Sequence, residues 1–310
     1  MTRTDIACIG AAHMDRIARC WEAFVWRASN PVTVMSSHGG VARNVALNLA
    51  RLGQRVKLVS VLGEDEEGAA ISAELCSAGV DLSDVTRLTG LSTASYTAVL
   101  DPTGELMVGL ADADIYENLG SAHLKALMPS LAAWPFWVVD ANLPEAGIGA
   151  LVGGAPNGVA LSVLAVSPAK ALRLVPHLSH FDMLFANRAE ASALLRRPVE
   201  TATEALEAGE VLRALGPEQV FITLGADGVA VAASGMHEVL PALEARVVNV
   251  NGAGDAFAAG TLAALCTGAP VAKAVAEGLA AAALTAQSPD TCSAQMSAAS
   301  VAGAEIVLGN

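Results

Sequence analysis

Positive charge is scarce in this chain of 310 residues: 18 lysines and arginines face 31 aspartates and glutamates, for a net charge of −13. No basic run appears anywhere, which excludes a nucleic-acid or anionic-membrane surface of the usual electrostatic kind. An anionic ligand would have to be held by local devices such as helix N-termini, a metal ion or single arginines. Cysteine is also sparse. The five present (Cys8, Cys20, Cys76, Cys266 and Cys292) are odd in number and form no CxxC pair, so they read as reduced, mostly buried thiols of a cytoplasmic protein. There is no zinc-ligand spacing, no HExxH and no GxSxG. The N-terminal 1-MTRTDIACIGAAHMDR-16 lacks the continuous apolar region of a signal peptide. The most apolar late stretch, 271-VAKAVAEGLAAAALTA-286, carries Lys273 and Glu277 and is too short to span a bilayer comfortably.

What the chain does have is apolar residues, 53% of the total. That is enough for a substantial core in one large α/β domain with an appendage, or in two domains. Strand-like runs recur at 5-DIACIG-10, 56-VKLVSVLG-63, 136-FWVVDAN-142, 158-GVALSVLAVS-167, 182-DMLFAN-187 and 219-QVFITLG-225. Helical patterns separate most of them, a rhythm that predicts a mostly parallel sheet covered by helices on both faces. Between residues 16 and 36, and again from 93 to 112, the rhythm changes. There 95-SYTAVL-100 and 105-ELMVGL-110 flank the turn 101-DPTG-104 and, with 31-PVTVMS-36, predict a small β-sheet standing off the main domain.

Three constellations carry chemistry. In 249-NVNGAGDAFAAG-260 the preceding 245-ARVVNV-250 reads as a buried strand, and Phe257, Thr261, Ala264 and Leu265 fall at helical spacing. Gly252, Ala253 and Gly254 then sit where a helix begins, with free backbone N–H groups and the positive end of the dipole, a place built for an anion. Asp255 beside them is either a helix cap or a general base. In 38-HGGVARNVALNLARLG-53 the residues Val41, Val45, Leu49 and Leu52 form one stripe, so Gly39 and Gly40 open a helix with Asn44 in its first turn. In 187-NRAE-190 Asn187 and Glu190 share a helix face, which suits a water-coordinated Mg²⁺ and equally suits an N-terminal cap.

Taken in order, the early GG turn with its Asn, the mid-chain NxxE and the late GAGD resemble the ribokinase-like (PfkB) carbohydrate kinases over nearly the whole chain. The resemblance implies a single three-layer α/β/α domain over residues 1–310, with a mostly parallel central sheet and a β-sheet lid from about 16–36 and 93–112. It implies an ATP- and Mg²⁺-dependent kinase, with Asp255 as base and Gly252, Ala253 and Gly254 as the anion hole. Substrate would lie against Asp15, Gly39, Gly40, Asn44 and the lid residue Tyr96, with His38 close by. The nucleotide would lie against Asn187, Thr223, Gly225 and Gly228, where 222-ITLGADG-228 is similar to the family's nucleotide turn, and Glu190 with Asn187 would organise the metal. It further implies a homodimer through the lid, and no nucleic-acid or membrane partner. Within the family, 95-SYTAVLD-101, 104-GELMVGLADADIYE-117, 140-DANLP-144 and 284-LTAQSPDT-291 look most like the branch that phosphorylates the 5′-hydroxyl of pseudouridine. A free sugar such as ribose, a keto-deoxy sugar acid, another nucleoside and a non-catalytic sensor are the alternatives; acids are disfavoured because the presumed pocket offers few cations beyond Arg16 and Arg43. One departure stands out. Where the family has Asp-x-Thr before GAGD, this chain has Asn249, Val250 and Asn251, which puts a monovalent-cation site in doubt.

Overall fold

The computed structural model describes residues 4–302; residues 1–3 and 303–310 of the expected domain lie outside the described residues. Strands β1 (Asp5–Ile9), β4 (Arg55–Gly63), β5 (Asp81–Leu88), β8 (Phe136–Asp140), β9 (Ala160–Leu164), β10 (Met183–Asn187) and β11 (Gln219–Thr223) pair in parallel. Two antiparallel strands, β12 (Val229–Ala233) and β13 (Met236–Leu240), close one edge, giving the order β13-β12-β11-β10-β9-β8-β1-β4-β5. The α-helices of the described residues are α1 (Val41–Arg51), α2 (Glu66–Ser77), α3 (Ser121–Leu131), α4 (Glu145–Gly154), α5 (Pro168–Ala171), α6 (Arg188–Leu195), α7 (Ala202–Arg213), α8 (Ala253–Leu265), α9 (Val271–Ala286) and α10 (Ala298–Val301).

Alternation along β1 shows how the layers arise. Ile6 and Cys8 enter one core with Val45 of α1, Leu75 of α2, Phe257 of α8 and Val275 of α9. Ala7 and Ile9 enter the other with Leu131 of α3, Leu151 of α4, Leu194 of α6 and Leu212 of α7. Because a strand sends successive side chains to opposite faces, a sheet buried on both sides must be apolar at every position, and β1, with DIACI, nearly is. No helix among the described residues is long and apolar enough to cross a membrane.

A second sheet of four strands, in the order β3-β2-β6-β7, forms the lid: β2 (His13–Cys20), β3 (Val32–Gly39), β6 (Ser95–Leu100) and β7 (Leu106–Asp112). Asp15 of β2 lies beside Tyr96 of β6 in a parallel pairing. The lid leaves Val34, Met35, Leu106 and Leu110 exposed, with Trp21 and Trp26 exposed in the turn that joins β2 to β3.

One expectation fails. Residues 245–250 form no strand; Val247, Val248 and Val250 are exposed, in an irregular segment that runs from β13 to α8. β-Branched residues make a strand only where a neighbouring strand accepts their hydrogen bonds. Here the Val248 and Asn249 amides both donate to the carbonyl of Ala286, at the end of a helix.

Candidate active site

The GG turn brings the two sheets together. At Gly39 a Cβ would collide with the Asp15 carboxylate, and at Gly40, with φ of 99°, it would collide with the Ala11 carbonyl. Glycine therefore lets the N-terminus of α1 close onto the end of β1. The buried carboxylate of Asp140, at the end of β8, fastens this junction. Its Oδ2 accepts from the Ala11 and Ala42 amides, both at 2.9 Å, and its Oδ1 from the Asn142 amide at 2.9 Å. Burial pushes its pKa up despite these three donors.

Asn44, one turn into α1, is buried and donates from Nδ2 to Asp255 Oδ2 at 2.8 Å. Asp255 lies in the first turn of α8, but Gly252, with φ of 80°, is the residue at the cap position, and no side chain caps this helix. A Cβ on Gly252 would strike the Thr291 carbonyl, so only glycine makes this approach. Asp255 is half-buried, and burial pushes its pKa up to about 7; the Asn44 hydrogen bond opposes this, while the nearby Asp140, Glu190 and Asp15 carboxylates add to it.

A cavity of about 360 Å³ opens over the carboxyl ends of β9, β10 and β11, lined by Asn187, Glu190, Thr223, Gly252, Gly254 and Asp255 among others. Open parallel sheets bind ligands at this end. The Ala253 N–H already has the Val250 carbonyl as an acceptor at 3.3 Å and the Ala256 N–H has the Gly252 carbonyl at 2.9 Å, whereas the Gly254 and Asp255 amides between them have no acceptor within the helix. Gly225 and Gly228 shape the turn after β11, with φ of 66° and 97°, and lie outside the cavity wall. Val166, also in the wall, has φ of 70°, an uncommon backbone state for a β-branched residue.

Asn187 and Glu190 form a reciprocal capping box on α6: Asn187 Oδ1 accepts from the Glu190 amide at 2.9 Å, and Glu190 takes the Asn187 amide on Oε2 and Nδ2 on Oε1, both at 2.8 Å. Both sequence readings of this motif are thus compatible with one geometry, because each carboxylate oxygen keeps a further lone pair and Glu190 lines the cavity. Burial raises the Glu190 pKa. Among the described residues no group of three or more His, Cys, Asp or Glu could hold a metal ion by itself. The donor set suits Mg²⁺ only as a water- and phosphate-bound ion, the form that this small cation prefers.

Asp15 and Tyr96 stand on the lid, away from this cavity wall. His13 Nε2 lies 3.1 Å from Asp15 Oδ1, and His13 Nδ1 lies 3.1 Å from the Tyr116 hydroxyl. Tyr96 lies across Gly109 of β7, where a Cβ would crowd its ring. The two arginines expected near the pocket are not free. Arg16 pairs with Glu67, and Arg43 is buried and pairs with Glu74, which also accepts from His38. Asn249 donates to the Pro289 carbonyl at 2.9 Å and accepts from the Asn251 amide at 3.0 Å. The residues that sequence reasoning passed over are Asp140, quoted only inside a longer stretch, and His13 with Tyr116 behind Asp15. The contacts that tie them into the site lie 98 and 129 residues away for Asp140 and 103 for His13, so local spacing could not have revealed those.

The chain belongs to the pfkB family of carbohydrate kinases, matching that family over residues 3–298. It is therefore a phosphotransferase that uses ATP and an alcohol acceptor. Among curated relatives it is 29% identical to a pseudouridine kinase of Escherichia coli over 271 residues, covering 87% of this chain and 86% of that one. Among solved structures it is similar to a carbohydrate kinase from Agrobacterium tumefaciens, at 37% identity and a TM-score of 0.81, over 96% of this chain and 95% of that one. A ribokinase from Thermotoga maritima shares the fold at 20% identity and a TM-score of 0.83, over 96% and 98%.

Proposed function

We propose that this protein transfers the γ-phosphoryl group of ATP to the 5′-hydroxyl of pseudouridine, with Asp255 as the general base. The observation that carries the reading is the pairing of a carboxylate of raised pKa with helix-terminal amides at one cavity, opposite Asn187, Glu190 and Thr223. A base poised near neutral pH takes a hydroxyl proton efficiently, and free amides at the helix start stabilise charge on the phosphoryl group. Asp255 accepts the proton as the hydroxyl oxygen attacks, while the anion hole is formed at Gly252, Ala253 and Gly254, with the Ala253 amide exchanging its long bond to the Val250 carbonyl for a phosphoryl oxygen.

On this reading Asp15 receives the ribose hydroxyls and Gly39 and Gly40 give the sugar its close approach. Asn44 serves Asp255 as well as the substrate side, and Tyr96 faces the base from the lid. Thr223 and Asn187 hold the nucleotide, with Gly225 and Gly228 shaping the adjacent turn. Mg²⁺, held through water by Glu190 and Asn187, would neutralise phosphate charge. Catalysis is then mainly positioning plus electrostatics. The pseudouridine assignment is supported by the similarity to the E. coli kinase over most of both chains. It is also supported by the pairing of Arg16 and Arg43 with carboxylates, which leaves neither free for a sugar acid.

A phosphotransfer assay over pseudouridine, uridine, inosine, ribose, fructose and keto-deoxygluconate tests this. Pseudouridine should give the highest kcat/KM, with the product phosphorylated at the 5′ position. A tenfold advantage for a free sugar or sugar acid would overturn the substrate while leaving the family untouched.

A further inference from the structure

Behind the Asn44–Asp255 hydrogen bond lies a guanidinium that the chemistry above does not use. Arg43 is 2% exposed, yet it extends Nη2 to Glu74 and Nη1 to the Asn44 side-chain oxygen at 2.7 Å and to the His38 carbonyl at 3.1 Å. Thr291 donates to the same His38 carbonyl at 2.9 Å. The frame around Arg43 therefore joins the end of β3, helix α2, helix α1 and the segment after α9.

An amide side chain has two ends of nearly equal size and opposite polarity, and its partners decide which end faces which way. A guanidinium has five donors and no acceptor. The end of Asn44 that meets Arg43 must then be the oxygen, which leaves the NH₂ end facing Asp255. We propose that Arg43 is a positioning residue for phosphoryl transfer: it locks the Asn44 amide so that Asp255 always receives a hydrogen bond and never has to supply one.

The consequence follows from donor and acceptor counting. An ionised carboxylate only accepts, whereas a protonated one can donate to an amide oxygen. With Arg43 in place, the protonated form of Asp255 finds no acceptor on Asn44, so the arrangement favours the form that can take a proton. Without Arg43 the amide can turn over, and the protonated carboxyl gains a partner. Burying a guanidinium is costly and often adds little stability, and orientation of a catalytic neighbour gives a reason to keep it here.

This inference rests on Asp255 being the base, and the test separates the two. The kcat/KM profile against pH is recorded with saturating Mg·ATP for the parent, Arg43→Met, Asn44→Ala and the double variant. Because Arg43→Met leaves Glu74 without its partner, Arg43→Met/Glu74→Gln is run beside it. The other charged and titratable groups facing Asp255 (Asp15, Asp140, Glu190 and Cys292) are left intact. The acid limb should move up by about one to two pH units in Arg43→Met, the effect of losing a hydrogen bond to a charged group. Asn44→Ala should show the same displacement, and the double variant no more than either, because both act on one contact. An acid limb that stays in place in Arg43→Met, with the rate lowered equally at every pH, makes Arg43 a structural residue only. Full addition of the two effects in the double variant overturns the proposal as well. Asp255→Asn serves as the control: loss of the limb in that variant upholds the base whatever Arg43 does, and an unchanged limb refutes the base itself.

Discussion

Asp255→Asn separates chemistry from stability more cleanly here than the sequence could suggest. The carboxylate is not the cap of α8, since Gly252 occupies that position and no side chain caps the helix. Removing its charge should therefore cost no capping bond, only the interaction with the helix dipole, about 0.3–1 kcal/mol. The new amide can still accept from Asn44 through its oxygen, because Arg43 keeps the Asn44 NH₂ pointing there. The folded state instead gains. A pKa raised from the ordinary carboxylate value to about 7 means that ionising this group costs stability. In the parent, stability is fully present below pH 4 and is lost as pH rises through 7. That rise corresponds to at most about 4 kcal/mol, and the edge open to the cavity screens part of it, leaving about 2 kcal/mol. For a chain of this size that is a Tm higher by roughly 4 °C above pH 7, vanishing near pH 4. Turnover should fall by about 10²–10⁴, in kcat more than in KM, because the proposed base acts in the transition state. Thermal scans at pH 4, 6 and 8 and steady-state ADP release on the same preparation give both numbers. A variant that melts earlier than the parent at pH 8 and turns over within tenfold of it would refute both halves of the reasoning.

Three further outcomes are expected. In the parent, kcat/KM should rise with pH and level off above about pH 7, because on the proposed mechanism the active form is the one that has lost the Asp255 proton; a profile flat from pH 5.5 to 8 would count against it. Exchanging K⁺ for Na⁺ or a bulky organic cation should change the rate little, since the Asn249 side chain carries no charge and is already hydrogen-bonded on both its amide nitrogen and its oxygen; strong K⁺ activation in a salt series would show that backbone carbonyls suffice. The exposed apolar residues of the lid are proposed to meet a second copy, so Leu106→Glu/Leu110→Glu should convert a dimer to a monomer by light scattering, and a parent that is monomeric at micromolar concentration removes that idea.

How far the sequence reached depended on the range of each interaction. Six strands of the parallel sheet were legible because each is a short apolar run, whereas β5, with the polar sequence DLSDVTRL at the sheet edge, gave no such signal. The GG turn, NxxE and GAGD were legible for the same reason: each needs only a few adjacent residues. The run 245-ARVVNV-250 misled because composition reports a preference for strand and says nothing about whether a neighbour is available. Arg43 looked like a pocket cation because its partner Glu74 lies 31 residues on, and the bond from Asn44 to Asp255 gave no local signal because the two lie 211 residues apart. Asp140 gave no signal at all, since its role is to hold backbone amides, and any residue can supply those.

The junction at Asp140 has a consequence for how such a chain can be altered. The excursion into β2 and β3 leaves the main sheet just after Ala11 and rejoins it just before Ala42, and one carboxylate holds the amides at both points. A segment whose two ends are clipped side by side behaves like a cartridge: its exchange for one of different length alters little of the chain entropy of the surrounding fold, which depends only weakly on the length between fixed ends. Whatever selectivity these two lid strands contribute could then be exchanged without re-engineering the floor of the site, provided that the clip residue and the glycines around it travel unchanged.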